Sequence, residues 1–152
     1  MAAVAAPRAL TRRTVSEHDR RQGQTVKYLL LGHTPAADWD AASAEAPSAE
    51  ALAAFAAYQE FERELRATGE FVTSAGLGHP AVSTTIRRTP AGVVATDGPF
   101  AELKEVLASF AVIDVASHER AVEIGSRIVA VLGEPIEIRP IMGEDFGQDA
   151  TA

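Results

Sequence analysis

Four charged residues with chemical potential crowd one short stretch: Asp97, Glu102, Lys104 and Glu105. The stretch opens on Asp97-Gly98-Pro99. Asp accepts local backbone hydrogen bonds, Gly takes an unusual φ and Pro fixes the exit, so the turn is rigid. Two carboxylates and an ammonium held at a cleft mouth can split their pKa values and supply an acid and a base. The plainer account is a structural turn, with Phe100 plugging the core and Glu102, Lys104 and Glu105 on a solvated face. Arg139 sits within an otherwise apolar strand segment. It either points outward beside Glu137 or lines a cavity and grips an anion with its planar fork. Asp114 is ambiguous in the same way. Arg139, Phe100, Tyr28 and His79 are the ligand-binding candidates; Asp97, Lys104, Glu102 and His33 are the catalytic ones.

The histidines divide by position. His33 follows the first strand at its C-terminal end, where clefts form, and His79 lies in the Gly-Leu-Gly-His-Pro loop. Either could act as a general base, because imidazole titrates near neutral pH. His18 and His118 read as exposed bystanders. No two histidines show metal-ligand spacing, so no metal site is expected. Gly76-Leu77-Gly78 lacks the further glycine and the helix start of a phosphate cradle, and there is no serine nucleophile elbow. No cofactor is expected.

These residues need a scaffold, and its size is bounded. A chain of 152 residues suggests one domain with tails. Hydrophobic residues at 47% and charged residues at 23% exclude a fully disordered chain, a collagen-like chain and a coiled coil. The absence of cysteine excludes disulfides, thiolate nucleophiles and iron–sulfur clusters. The formal charge of −7 argues against a nucleic-acid binder, which needs a basic face. Residues 1–24 carry a net charge of +3 through five arginines, which leaves −10 for the rest. This stretch lacks the apolar run of a secretory signal and reads as a flexible basic extension. Residues 143–152 read as an acidic tail. No stretch is long and apolar enough for a membrane span, so no membrane partner and a cytoplasmic location are expected. The 30 alanines each bury little area, so six Phe and the branched aliphatics must build the core.

The elements follow from periodicity and punctuation. Val26 to Leu31 is a near-continuous apolar run ended by Gly32, as in a strand buried on both faces. Asp38–Pro47 reads as a connector. Ser48 is placed to cap a helix, with Phe55, Tyr58, Phe61 and Leu65 on one face and Gly69 suited to its left-handed end. Phe71–Ser74 reads as a strand. Val82–Arg88 and Val93–Ala95 form a hairpin around Pro90-Ala91-Gly92. Val106–Val115 is the longest β-type segment. Ser117 caps a second helix whose stripe is Ala121, Ile124, Ile128 and Val131, with Gly133 past its end and a Glu123–Arg127 pair on its wet side. Ile136–Ile141 is the last strand, and Pro140 suggests an edge. The order predicts an α+β, ferredoxin-like βαββαβ unit with a β-hairpin insertion. Two helices would cover one sheet face. Dimerisation would cover the other, giving a homodimer around an enclosed cavity.

The run Thr96-Asp97-Gly98-Pro99-Phe100-Ala101-Glu102-Leu103-Lys104-Glu105 resembles the signature of the YCII-related family, specifically its DGPF branch. Val26–Gly32, Ser83-Thr84-Thr85-Ile86-Arg87, Phe110–Val115 and Ile136–Ile141 resemble the family's strands in the same order, over roughly residues 26–142. The resemblance implies a dimeric α+β barrel for residues 25–142, with a cleft near the dimer interface. Related proteins carry a His–Asp acid–base dyad, and one lineage is a dehydrochlorinase. The histidine of that dyad normally sits on the first helix; Ser48–Thr68 contains none, so the dyad is not carried over. The expected function is to bind a small organic molecule in a cleft near the signature loop, with acid–base chemistry of lyase, isomerase or cyclase type. The alternative is a non-enzymatic accessory or regulatory protein, of the kind some family members suggest by lying in sigma-factor loci.

Overall fold

A computed structural model describes residues 25–38 and 46–143. The expected basic extension, most of the connector and the tail beyond Gly143 lie outside these residues. Six strands and two longer helices follow in the order β1 (Val26–Pro35), α1 (Ala49–Ala67), β2 (Phe71–Gly76), β3 (Thr84–Thr89), β4 (Gly92–Asp97), β5 (Glu105–Val115), α2 (His118–Leu132) and β6 (Ile136–Pro140). A single 3-10 turn, Pro80–Val82, precedes β3. Four strands form an antiparallel sheet in the order β2-β5-β1-β6, while β3 and β4, among the described residues, pair only with each other. This is the expected ferredoxin-like arrangement with a hairpin inserted between β2 and β5.

Both helices begin where a hydroxyl can accept a free amide. Ser48 accepts from the Ala51 N–H and Ser117 from the Arg120 N–H. The second helix ends at Gly133 in the left-handed conformation. Alternation along β1 and β5 turns Tyr28, Leu30, Ala111, Ile113 and Val115 toward the helices. There they meet Phe61 and Leu65 of α1 and Ala121, Ile124 and Ile128 of α2 to form the core. The first helix departs from the expected stripe. Phe61 and Leu65 are buried, but Phe55 is 54% exposed and Tyr58 only partly covered. The N-terminal half of α1 stands off the sheet, and that offset opens the cavity described below.

Long-range ion pairs join the layers. Arg120 at the start of α2 grips Glu70 between α1 and β2 with two bonds, 2.7 and 2.8 Å. The expected Glu123–Arg127 pair does not form. Glu123 pairs with Arg120 at 2.8 Å, and Arg127 reaches across to Glu64 of α1 at 2.9 Å, its guanidinium 3.9 Å from the Phe61 ring centroid. A partner on the facing helix, with an aromatic ring beneath, outcompetes one on the same helix turn.

The opposite sheet face carries Leu29 and Leu31 from β1 and Phe110 and Val112 from β5, none of them buried. Neither helix reaches that face. Pro140 ends β6, which pairs with β1 alone and is a sheet edge.

Candidate functional site

A cavity of about 400 Å³ opens between α1 and the sheet. Its roof is Phe55, Tyr58, Gln59 and Glu62, on successive turns of α1. Its wall is Ser74–Gly76, the end of β2. Its floor includes Leu30, Gly32, Ala108 and Ser109, and its far side is Ile128, Leu132, Glu134 and Ile136. Strand register explains the floor. The pairing of β1 with β5 shifts between Gly32 and His33, so the strands bend there. Gly32 faces Ser109 across the ladder, and a Cβ on Gly32 would overlap the Ser109 hydroxyl. Only glycine lets the two strands approach this closely with the serine in place.

Three polar groups converge at the roof and wall. The Ser74 hydroxyl donates to Glu62 Oε1. Tyr58, one helical turn before Glu62, lies within reach of both. Burial, opposed by Ser74 and reinforced by Glu62, pushes the Tyr58 phenol up to about 12, so it stays protonated at neutral pH. On the far side Glu134 Oε1 accepts from Thr34 Oγ1 at 2.8 Å. A protonated phenol, two carboxylates and two serine hydroxyls against apolar walls suit a small organic molecule, with apolar surface to hold its body and a few polar groups to orient it.

The residues singled out from sequence lie elsewhere, and none of them lines the cavity. Asp97 ends β4 on the hairpin, and Glu102 and Lys104 are exposed in the segment that follows. No ion pair joins Asp97, Glu102, Lys104 and Glu105 among the described residues. Phe100 is 76% exposed rather than a core plug. Arg87 holds it from β3, donating to its carbonyl at 2.7 Å with the guanidinium 4.9 Å from its ring centroid. Gly98, at φ 101°, turns the loop back so that its N–H donates to the Ser83 carbonyl at 2.8 Å while its own carbonyl accepts from Thr85. The unusual φ expected of Gly98 is therefore present, and it folds the loop onto its own hairpin. That hairpin is rooted at the cavity rim, where the Leu77 N–H donates to the Ala108 carbonyl at 2.8 Å.

The remaining candidates are scattered. His33 stands on β1 opposite Leu107, on the sheet face away from the helices. Arg139 is exposed on the same face, bonded to Glu137, the first of the two arrangements its position allowed. Tyr28 is buried in the core, its ring 5.7 Å from that of His118. His79 caps the 3-10 turn through Nδ1, which accepts from the Ala81 N–H at 3.1 Å. Asp114, opposite Lys27, has a buried Oδ1 with no hydrogen bond.

Sequence reasoning assigned Tyr58 to the apolar stripe and passed over Glu62 and Ser74. One signal was available: a tyrosine and a glutamate at i and i+4 on the face meant for the core.

The YCII-related domain matches residues 26–145, and the chain belongs to that family. No curated protein matches the chain.

Proposed function

We propose that this YCII-related protein binds a small organic molecule in the cavity beneath α1, where Glu62 and Tyr58 perform acid–base chemistry of the lyase, isomerase or cyclase type. One observation carries the reading: the Ser74–Glu62 hydrogen bond beside a protonated Tyr58, facing about 400 Å³ of space. Glu62 is the base, held in one orientation by Ser74. Tyr58 is the neutral donor that stabilises charge developing on a substrate oxygen. We further propose that the chain is a homodimer, with Leu29, Leu31, Phe110 and Val112 covered by the same face of a second copy, because a sheet face this apolar is stabilised by burial.

The test is a thermal-shift screen of small organic acids, lactones, amines and alcohols against wild type, Glu62→Gln, Tyr58→Phe and Asp97→Asn. Ligands that raise the melting temperature of wild type should lose that effect in Glu62→Gln and keep it in Asp97→Asn. The reverse pattern would return the site to the signature loop. A ligand that binds without being turned over would favour the accessory role. Sedimentation should find dimers of wild type and monomers of Leu31→Asp; monomeric wild type would refute the second proposal.

A further inference from the structure

Among the described residues no lysine, arginine or histidine lines the cavity beneath α1, while two carboxylates, Glu62 and Glu134, do. Each gives one oxygen to an internal hydroxyl, from Ser74 and Thr34 respectively, and neither is neutralised inside the cavity. Arg66 pairs with Glu62 at 3.8 Å from the following turn. Its side chain is 56% exposed and its guanidinium is stacked 3.9 Å from the Phe71 ring centroid, which draws it to the outside of the helix. The roof adds a second kind of cation recognition. The Phe55 and Tyr58 rings sit 6.4 Å apart at a 31° tilt, and both line the cavity. Phe55 is 54% exposed, so part of its ring is open to a ligand entering the cavity. Aromatic faces attract ammonium groups, and a carboxylate alongside adds direct charge pairing.

From the two lining carboxylates and the paired rings, with no cation among the described lining residues, we infer that the ligand is an organic amine, with its ammonium group between Glu62 and the Phe55–Tyr58 pair and its apolar body against Leu30, Ile128 and Leu132. The inference rests on the cavity being the binding site and adds the charge of what enters it. An anionic ligand would meet two carboxylates and, among the described lining residues, no cation, so the same lining selects against it.

Three probes of matched shape isolate the charge: phenethylamine, 2-phenylethanol and 3-phenylpropanoate, titrated into the full chain at pH 7 and followed by amide chemical shifts of Ser74–Gly76. Phenethylamine should bind about tenfold more tightly than the alcohol, and 3-phenylpropanoate more weakly than either. Glu62→Gln keeps an acceptor for Ser74 and should bring amine and alcohol to equal affinity. Phe55→Leu, a change at a half-exposed position, should weaken the amine more than the alcohol. If the alcohol or the carboxylate matches the amine in wild type, the amine assignment is overturned while the cavity stands as a binding site. If no probe moves those resonances, the cavity reading itself fails, and the amine assignment with it.

Discussion

The helix-covered half of the sheet and the β3–β4 hairpin are built from similar residues and reach opposite outcomes. In the first, alternation delivers Leu30, Ile113 and Val115 to two helices, and each is at most 2% exposed. In the second, the ladder sets Ile86 opposite Ala95 and Val93 opposite Arg88, yet Ile86 and Val93 are 68% and 70% exposed. Every residue of β4 is exposed. Among the described residues the hairpin has no third strand and no helix to pack against, and a two-stranded unit gains little from burial on its own. What holds it is local: the β3–β4 ladder, and the loop that folds back onto Ser83, Thr85 and Arg87. Burial depends on what stands across from a strand, and pattern alone does not supply that neighbour.

The contrast is broken or sharpened most strongly by truncating matched isoleucines. Ile124 is fully buried on α2, so Ile124→Ala should cost about 2–5 kcal/mol of unfolding free energy in urea. Ile86→Ala on the hairpin should cost less than about 0.5 kcal/mol. Equal losses would show that the hairpin is packed in solution and would overturn the comparison.

The Arg120–Glu70 pair gives the next effect. It is a two-bond contact between half-buried side chains at the junction of the layers, so Arg120→Ala should cost about 1.5–3 kcal/mol at neutral pH. Its pH dependence has a definite sign. The hydrogen bond from Arg120 holds the Glu70 carboxyl below the ordinary carboxylate value. A carboxyl depressed in the folded state contributes stability that is present above its unfolded pKa and lost as pH falls through the folded one. The gap between wild type and Arg120→Ala in urea midpoint should therefore narrow in acid. A gap that holds constant down to strongly acidic pH would exclude the ion pair as its source.

The smallest effect belongs to the signature turn. Gly98 at φ 101° disfavours any Cβ, so Gly98→Ala strains the loop. Global stability should change by less than about 1 kcal/mol, because the loop folds onto the hairpin and not the core. Hydrogen exchange should nevertheless quicken at the Gly98 amide and along β3 and β4. A global loss as large as that of Ile124→Ala would tie the hairpin to the core after all.

The two regions also differ in how much of them could be read in advance. Ser48, Ser117 and Gly133 act within one helical turn of their own positions, so residue type was enough to place the helix ends. The strands were legible because their apolar runs and bounding turn residues are local, although β1 runs on to Pro35, past the glycine expected to stop it. The signature turn was legible in the same way, down to the positive φ of Gly98, but the fate of Phe100 was not. Whether an aromatic ring plugs a core or stands in solvent depends on elements far away in sequence. The candidate site is the extreme case. Tyr58 and Glu62 on α1 meet Ser74 on β2 and face Glu134 beyond α2, a grouping made by tertiary packing. The helical stripe that identified α1 also disguised Tyr58, since one face of that helix is core at its C-terminal end and cavity roof at its other end.

Position 32 turns a detail of strand spacing into a dial on capacity. Alanine there would force the Ser109 side chain to turn or the two strands to part, and either response reshapes the floor on which a guest would rest. A single added methyl group would thus tune the fit of whatever is held under α1 without touching one of the groups proposed to act on it.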